Sequence, residues 1–266
     1  QGHCFKVSRL GWLACLVLSL LQAGVRTLLS FKLQAWNALA PGLEDSTDWS
    51  RWLEQPVSLP AELHKVALKQ IPPMLRRRFT ELGRCAAGAA LPLLEDVDGV
   101  PGVFASRHGD TPLTLSLLEG IADDEPMSPT GFSLAVHNAV SGLLSIARKD
   151  ISEVTAIATV DNLIPHALLE AVTQLQNSER VLCLIYDVPL PELYQPYTSC
   201  EPFPFALAML LSRSEGVKMS LEQHSPQAIE VDSSDLLRTM RFITGLDRDV
   251  HFPVCAEMGW KLSRDE

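Results

Sequence analysis

The sequence predicts an α/β fold, in which a mixed sheet is covered by helices. Short apolar runs of strand length alternate with segments whose apolar residues recur every three or four positions. The central stretch, Ser128 to Asp187, has the pattern helix, strand, elbow, helix, strand. A strand, a helix and a second strand at this spacing indicate a crossover connection and a parallel pair of strands. Together these observations favour one α/β domain with helices packed on its sheet.

The first quarter of the chain predicts a strand, a helix, an irregular stretch and a long helix. Alternating apolar residues indicate a strand over Leu28 to Trp36, which a turn at Ala40-Pro41-Gly42 closes. A capping residue at Asp45 or Ser46 and two tryptophans at helical spacing predict a helix through Leu53. The proline-punctuated stretch before Pro72 is predicted to be irregular, and a single helix is predicted to follow it through Glu95.

The middle of the chain contains the predicted crossover. A short strand over Val100 to Ser106 and a helix over Thr111 to Ala122 precede it. One helix is predicted to carry Val136, Val140, Leu143 or Leu144, and Ala147 on an apolar face. The strands and helix of the crossover follow at Val154 to Thr159, from Pro165, and at Val181 to Tyr186. Proline suits the first turn of a helix because its missing N–H would have no partner there.

The last third predicts a loop rich in proline and tyrosine, followed by strands and one helix. The loop runs from Tyr186 to Pro204. Strands are predicted over Phe205 to Leu211, Val217 to Leu221 and Met258 to Leu262, and a helix over Asp235 to Thr244.

Composition excludes several classes of function. The net charge of −10 and the sequence pI near 5.2 argue against a nucleic-acid binder, which would carry a basic face. The six cysteines are scattered without a CxxC pair, which fits neither a zinc site nor a disulfide scaffold. No phosphate-binding loop, dinucleotide fingerprint, HExxH motif or acidic metal cluster is present, so no metal and no cofactor are expected.

Residues 1–27 differ from the remainder. They contain basic residues and no acidic one, and Leu10 to Val25 is a short apolar run. Three interpretations remain open: an extension outside the fold, an export signal or membrane anchor, and a core helix. The domain prediction therefore separates 1–27, as an extension or signal-like segment, from a globular domain over 28–266.

Several motifs resemble a known family. PPMLRRRFTELGR, VFASRHGD, SPTGFSLAVHNAVSGLLSI, YDVPLPELYQPY and EPFPFALAMLLS are similar, in this order, to motifs of the ketosynthase-like proteins of aryl polyene biosynthesis. Those proteins are related to the N-terminal half of β-ketoacyl-acyl carrier protein synthases, and the resemblance runs from Leu28 to the C-terminus. It implies a truncated thiolase-like fold.

The resemblance also implies that the chain lacks the chemistry of a ketosynthase. Ketosynthases carry a cysteine at the elbow between the equivalent strand and helix, where the helix N-terminus helps to hold a thiolate. The corresponding position here is Val160 or Asp161, and neither side chain can form a thioester. The second half of a ketosynthase, which supplies two catalytic histidines, has no counterpart in the sequence. We therefore expect no catalytic residue in this chain alone.

The implied role is that of a chain-length-factor-like subunit. It would form a heterodimer with a full-length ketosynthase, shape the tunnel for the growing acyl or polyene chain, and meet an acyl carrier protein through that complex. The segment Ser128 to Asn138 would reach the interface and the partner's tunnel. The residues expected there are Ser128, Pro129, Phe132, Ser133, His137 and Asn138. Candidate contacts with the carrier protein or the interface are Arg76, Arg77, Arg78, Arg107 and His108.

For some of these residues, a purely structural role also stays open. His137 and Asn138 also fit buried polar side chains that bond to backbone. The three consecutive arginines also fit a solvated helix face. Assembly on a carrier protein implies a cytoplasmic location without a membrane partner.

Two rival functions come from other classes. The first is an independent acyltransferase or hydrolase that uses Ser106 and His108, or Cys183. Members of a catalytic triad converge from separate segments, and neighbours on an extended loop point apart, which disfavours the serine. The second is an exported or membrane-anchored protein that uses Leu10 to Val25.

Overall fold

In the part of the chain that the structure describes, eight strands form a single mixed sheet. The computed structural model describes residues 28–64, 66–224, 233–255 and 258–265. The strands are β1 (Leu28–Leu39), β2 (Gly102–Ala105), β3 (Val154–Ile157), β4 (Arg180–Asp187), β5 (Phe205–Ser212), β6 (Val217–His224), β7 (Asp249–Cys255) and β8 (Met258–Arg264). Their order across the sheet is β3-β2-β4-β5-β1-β6-β8-β7. Strand β2 pairs in parallel with β3 and β4, and the other pairs are antiparallel.

Helices connect these strands. They are α1 (Ser46–Glu54), α2 (Pro73–Arg76), α3 (Glu81–Ala90), α4 (Thr111–Ala122), α5 (Pro129–Leu134), α6 (Ala139–Arg148), α7 (Leu163–Gln174) and α8 (Asp235–Thr244). Short 3₁₀ turns lie at Leu91–Leu94 and Gln195–Tyr197. Helix α1 begins where the sequence predicted, because the Asp45 carboxylate accepts hydrogen bonds from the backbone N–H groups of Thr47 and Asp48.

Each face of the sheet carries its own hydrophobic core. One core joins the sheet to α1, α7 and α8, with Trp49, Leu168 and Phe242 fully buried in it. The other joins the sheet to α3 and α6, with Phe79, Ala86 and Leu144 buried. Strands β4 and β5 are buried along almost their whole length because helices cover both of their faces. The predicted α/β fold with a helix-covered mixed sheet is confirmed.

The crossover differs in one respect from its prediction. The sequence favoured β3 and β4 as a parallel pair joined by α7. The structure keeps them parallel but places β2 between them, bonded to both. The strand itself was predicted over Val100 to Ser106, but periodicity along the chain does not report the order of strands across a sheet.

Two predicted helices are each divided in two. The single helix expected from Pro73 to Glu95 ends at Arg76, and a new helix begins after Thr80, whose hydroxyl accepts from the Gly83 N–H. The helix expected after Ser128 ends at Leu134 and restarts at Ala139. In both cases the apolar spacing continues across the break, which is why it indicated one helix.

Strand β7 was not predicted from the sequence, and the apolar run near the start of the chain lies outside the described residues. Strand β7 follows α8 directly and pairs with β8 as a hairpin. Among the residues that the structure describes, no helix is long and apolar enough to cross a membrane. Leu10 to Val25, and with it the domain boundary predicted at residue 27, lies outside the described residues.

Candidate functional site

The candidate site lies where three parallel strands end. β2 ends at Ala105, β3 at Ile157 and β4 at Asp187. Because β2 pairs in parallel with both neighbours, the carboxyl ends of all three lie on one edge of the sheet. Ligand sites of open α/β sheets form outside this edge. The loop after β2 and the elbow after β3 converge there.

A pocket of about 330 Å³ opens at this edge. Its apolar lining comes from the start of α7, from β4 and β5, and from the start of α8. The apolar lining residues are Leu163, Ile164, Ile185, Phe205 and Leu236. The pocket therefore has a rigid wall made of regular elements, and its polar groups come from the loops that surround it.

The rim of the pocket carries paired charges. The Arg107 guanidinium lies 4.0 Å from the Asp161 carboxylate, and Arg238 bonds Asp235 at 2.5 Å. Glu201 also lines the pocket. Burial raises the pKa of both Glu201 and Asp235, and the charge of Asp235 raises the pKa of Glu201 further. Three carboxylates against two guanidinium groups make this rim unfavourable for an anionic ligand.

The elbow between β3 and α7 turns at Asn162. This residue has φ 57° and ψ 41°, the left-handed conformation that asparagine tolerates better than most residues. Its side-chain amide donates to the Pro253 carbonyl at 3.3 Å, which anchors the turn. Val160, three-quarters exposed, and Asp161 precede it and line the pocket. The two residues at the predicted nucleophile position thus face the pocket, and neither supplies a thiol.

A buried carboxylate shapes the loop after β2. Asp187, at the end of β4, accepts hydrogen bonds from the Ser106 hydroxyl at 2.7 Å and from the backbone N–H groups of Arg107 and His108 at 3.0 and 3.2 Å. Burial raises the pKa of Asp187, and these donors oppose the rise because they favour the charged form. The loop that presents Arg107 and His108 to the pocket is therefore held by one residue of a different strand.

The rival nucleophiles are poorly placed for catalysis. The Ser106 hydroxyl is buried, donates to Asp187 and accepts from the Gly109 N–H at 2.8 Å. It is committed to holding its own loop. Cys183 is fully buried within β4, and burial raises the pKa of its thiol to about 12. A thiol without a thiolate or solvent access is inert.

The side chains of Arg107 and His108 have different surroundings. The Arg107 guanidinium donates to the Thr198 hydroxyl at 3.0 Å and to the Ser199 carbonyl at 3.1 Å, in addition to its ion pair. Burial lowers the pKa of His108, and the charges of Arg107 and His137 lower it further. His108 is thus favoured in its neutral form, with a buried Nε2 atom that has no partner among the described protein atoms.

The segment Ser128 to Asn138 lies on the surface. The Ser128 hydroxyl caps α5, and Phe132 is 57% exposed although it is a large apolar residue. His137 and Asn138 lie in the turn between α5 and α6 rather than within a helix, and both are exposed. The interpretation of these two as a buried polar pair is wrong, because the helix break turns them outward.

Exposed apolar side chains are concentrated around this segment. Helix α4 is apolar and yet has no fully buried residue. Among the described residues, nine of the seventeen large exposed hydrophobic side chains lie between Leu118 and Val160: Leu118, Ile121, Met127, Phe132, Val136, Ile146, Ile151, Val154 and Val160. Exposed apolar patches are typical of interaction surfaces, so this part of the chain is the candidate for one.

Strand β3, which contains one of these exposed residues, lies at the edge of the sheet. Among the strands of the described residues it pairs only with β2, so within that part of the chain its outer edge has no strand partner. Ile151, just before it, is 99% exposed, and Val154 in its first position is 44% exposed. Isolated proteins normally protect such an edge with charges or a covering segment. An apolar edge strand favours association with another chain.

The three consecutive arginines lie at the end of α2. Arg76 donates to the Ala67 carbonyl at 2.9 Å, which ties the preceding irregular stretch to the helix. Arg77 and Arg78 are exposed. Arg78 lines a small cleft together with His137, so one of the three lies beside the predicted interface segment.

Sequence reasoning missed several residues of the pocket. Asp187 was interpreted only as the end of a strand. A carboxylate at the carboxyl end of a buried strand is, however, a candidate site residue. Glu201, Asp235 and Arg238 come from a loop and a helix start that are distant in sequence. Only the topology brings them to the elbow.

The chain matches the family described as "Beta-ketoacyl synthase, N-terminal domain" over residues 49–252. This range includes the loop after β2, the elbow and the pocket. No curated protein matches the chain.

Solved structures share the fold. The chain is 26% identical to a chain in the complex of the ketosynthase ApeO with its chain length factor ApeC from Xenorhabdus doucetiae, with a TM-score of 0.75 over 89% of this chain and 100% of that chain. The ishigamide ketosynthase/chain length factor matches at 14% identity and a TM-score of 0.60, over 74% of this chain and 67% of that chain. The AntDE:AntF structure, a type II acyl carrier protein with its ketosynthase, matches at 17% identity and 0.53, over 71% and 64%.

Proposed function

This chain belongs to the β-ketoacyl synthase family, and we propose that within it the chain is a non-catalytic, chain-length-factor-like subunit. Its partner is a catalytically complete ketosynthase that contributes the nucleophilic cysteine and both histidines. The two chains form a heterodimer that elongates an acyl or polyene chain delivered on an acyl carrier protein. The subunit's contribution is to shape the room available to that chain.

One observation carries this proposal. The elbow has the strand-turn-helix geometry that presents a nucleophile, and it presents Val160 and Asp161. Neither side chain can form a thioester. Asp161 instead lies beside Arg107, and Cys183, in strand β4, is fully buried. A ketosynthase-like frame without a nucleophile at its elbow is better suited to supporting a partner than to acting alone.

The exposed apolar surface supports the pairing. The α4–α5 region and the edge strand β3 present apolar side chains that a monomeric protein would be expected to bury. Helix α6 lies between these two regions, where Ser141 and Leu144 line a small cleft together with Val154. An interface here would cover both regions at once and would place Phe132 and Ser133 against the partner.

The choice of partner rests on the relatives. The matched Xenorhabdus structure is a complex of a ketosynthase with its chain length factor, and the match spans the whole of one of its chains. A ketosynthase-fold partner is therefore the occupant that we assign to the exposed surface. A cytoplasmic location follows from elongation on a carrier protein.

The proposal is tested by co-purification with a full-length ketosynthase from the organism that encodes this chain. Wild-type protein is expected to co-elute with it as one stable complex at micromolar concentration. Val154→Asp places a charge on the edge strand and should weaken complex formation at least about tenfold, since an unpaired buried charge is costly at an interface.

Val217→Asp is the matched control. Val217 begins β6 and is exposed to a similar degree, 49% against 44% for Val154, but it lies on a different part of the sheet. This variant should bind as the wild type does. Separate elution of the two wild-type proteins would overturn the proposal, and equal weakening by both variants would overturn the assignment of the interface to β3.

A further inference from the structure

We propose that His224 and His251 form a binding site for a divalent transition-metal ion that prefers imidazole, of the zinc, nickel and copper group. The Nδ1 atom of His251 lies 3.1 Å from the Nε2 atom of His224. The ring centroids are 4.8 Å apart and the ring planes are inclined by 75°. None of the residues of this site lines the pocket at the elbow.

The sheet brings the two histidines together across an intervening strand. His224 ends β6 and His251 belongs to β7, with β8 between them. Gly259 of β8 pairs with His224 in the register, and Lys261 pairs with His251. A Cβ at Gly259 would lie 3.6 Å from the His224 Nε2 atom and 3.0 Å from the Phe252 carbonyl oxygen. The missing side chain therefore leaves space over β8 in which the two rings meet.

A carboxylate holds His251 from behind. The Nε2 atom of His251 lies 3.2 Å from an Asp249 oxygen, and the other Asp249 oxygen lies 3.4 Å from the Lys261 ammonium group. A hydrogen bond from Nε2–H to this carboxylate fixes the tautomer that leaves the Nδ1 lone pair free to face His224. Metal-binding histidines commonly have this arrangement, in which a carboxylate behind the ring orients it and raises its basicity.

The spacing of the facing nitrogen atoms suits a shared ion. Two imidazole ligands at about 2.0–2.1 Å from a tetrahedral metal lie ~3.3 Å apart. A small separation of the rings would replace the shared hydrogen bond by two coordinate bonds, and His224 would then take its other tautomer, in which Nδ1 carries the proton. Within residues 28–64, 66–224, 233–255 and 258–265, no group of three or more His, Cys, Asp or Glu side chains is placed to hold a metal. The two histidines are the protein ligands that we assign from these ranges.

Calorimetric titration of the full chain with ZnCl₂, with no polyhistidine tag present, tests this site. We expect one saturable ion per chain. His224→Ala and His251→Ala should each weaken binding at least tenfold, and Asp249→Asn, which keeps both ligands, should weaken it by about tenfold. His64→Ala, at an exposed histidine in the irregular stretch before α2, is the matched control and should bind as the wild type does.

A second measurement uses the wild-type chain, so its result does not depend on whether the variants fold. Zinc should shift the ring ¹⁵N resonances of two histidines and leave the others unchanged. The site is refuted if no ion binds saturably, if His64→Ala weakens binding as much as His251→Ala, or if zinc shifts the histidine resonances indiscriminately. Failure of this test leaves the proposed heterodimer untouched, because the two rest on different parts of the chain.

Discussion

Asp161 is, with Val160, one of the two elbow residues at which the resemblance places the nucleophile of a ketosynthase, and two positively polarised groups lie near it. The position faces the N-terminal end of α7 and lies 4.0 Å from the Arg107 guanidinium. Both groups would stabilise a thiolate. We therefore expect Asp161→Cys to have a thiol pKa below about 7.5. The pH dependence of its alkylation by iodoacetamide, followed by intact mass, measures this value.

Val160→Cys is the companion variant, because the resemblance left both positions open. Its side chain is largely exposed. An ordinary pKa is expected there. A low pKa at Val160→Cys with an ordinary one at Asp161→Cys would move the nucleophile position by one residue. Ordinary values at both would show that the elbow no longer activates a thiol.

Asp187 is the residue on which the loop after β2 depends. Asp187→Asn replaces an acceptor of three hydrogen bonds by an amide whose NH₂ group faces N–H and O–H donors. We expect the free energy of unfolding to fall by about 1–3 kcal/mol. Urea denaturation measures it, with the exposed Asp96→Asn as control. An unchanged midpoint would show that this loop is held by other contacts.

His108 makes stability depend on pH. Its pKa in the folded chain lies below the unfolded value, chiefly because of burial and then because of the charges of Arg107 and His137. The unfolded chain therefore binds more protons below about pH 6.5, and the stability contributed by neutral His108 is lost as pH falls through that region. His108→Gln should flatten the fall in unfolding free energy between about pH 7 and 5. Urea denaturation across this range, with His64→Gln as control, checks the sign, and an unaltered slope would contradict it.

For individual helices and strands, the predicted bounds are correct where the capping residue, the apolar spacing and the terminating residue agree. Helix α8 has the predicted bounds because Ser234 caps it and Gly245 ends it in the left-handed conformation. The long helices expected after Pro72 and Ser128 failed, because apolar spacing continued across breaks at Thr80 and between α5 and α6. Periodicity reports which face is buried and does not report where the backbone stops being helical.

The second test of function concerns Phe132 and Ser133 of helix α5. If Phe132 and Ser133 line the partner's tunnel, then Phe132→Trp and Ser133→Phe leave less room and should shorten the products while elongation continues. The mass distribution of products made by the reconstituted complex measures this. Val57→Phe, at an exposed apolar residue after α1, is the control. Unchanged product length in both tunnel variants would exclude these residues from the tunnel.

Across the whole molecule, the order of the strands in the sheet determines contacts that the sequence did not predict. The order of motifs along the chain was enough to predict the fold, since helix, strand and elbow follow one another locally. The insertion of β2 between β3 and β4 was beyond local reasoning, and so was the pocket rim formed by Glu201, Asp235 and Arg238. These groups meet only because separate chain segments return to one edge of the sheet.

The proposed heterodimer joins two chains, so one experiment that detects both chains decides whether it forms. Native mass spectrometry of the co-purified complex, after incubation with acyl-loaded carrier protein, reads the stoichiometry and the acylated subunit together. We expect equal numbers of the two chains, with the acyl group on the ketosynthase and none on this chain. An acyl adduct on this chain, or the two proteins detected only as separate species, would contradict it.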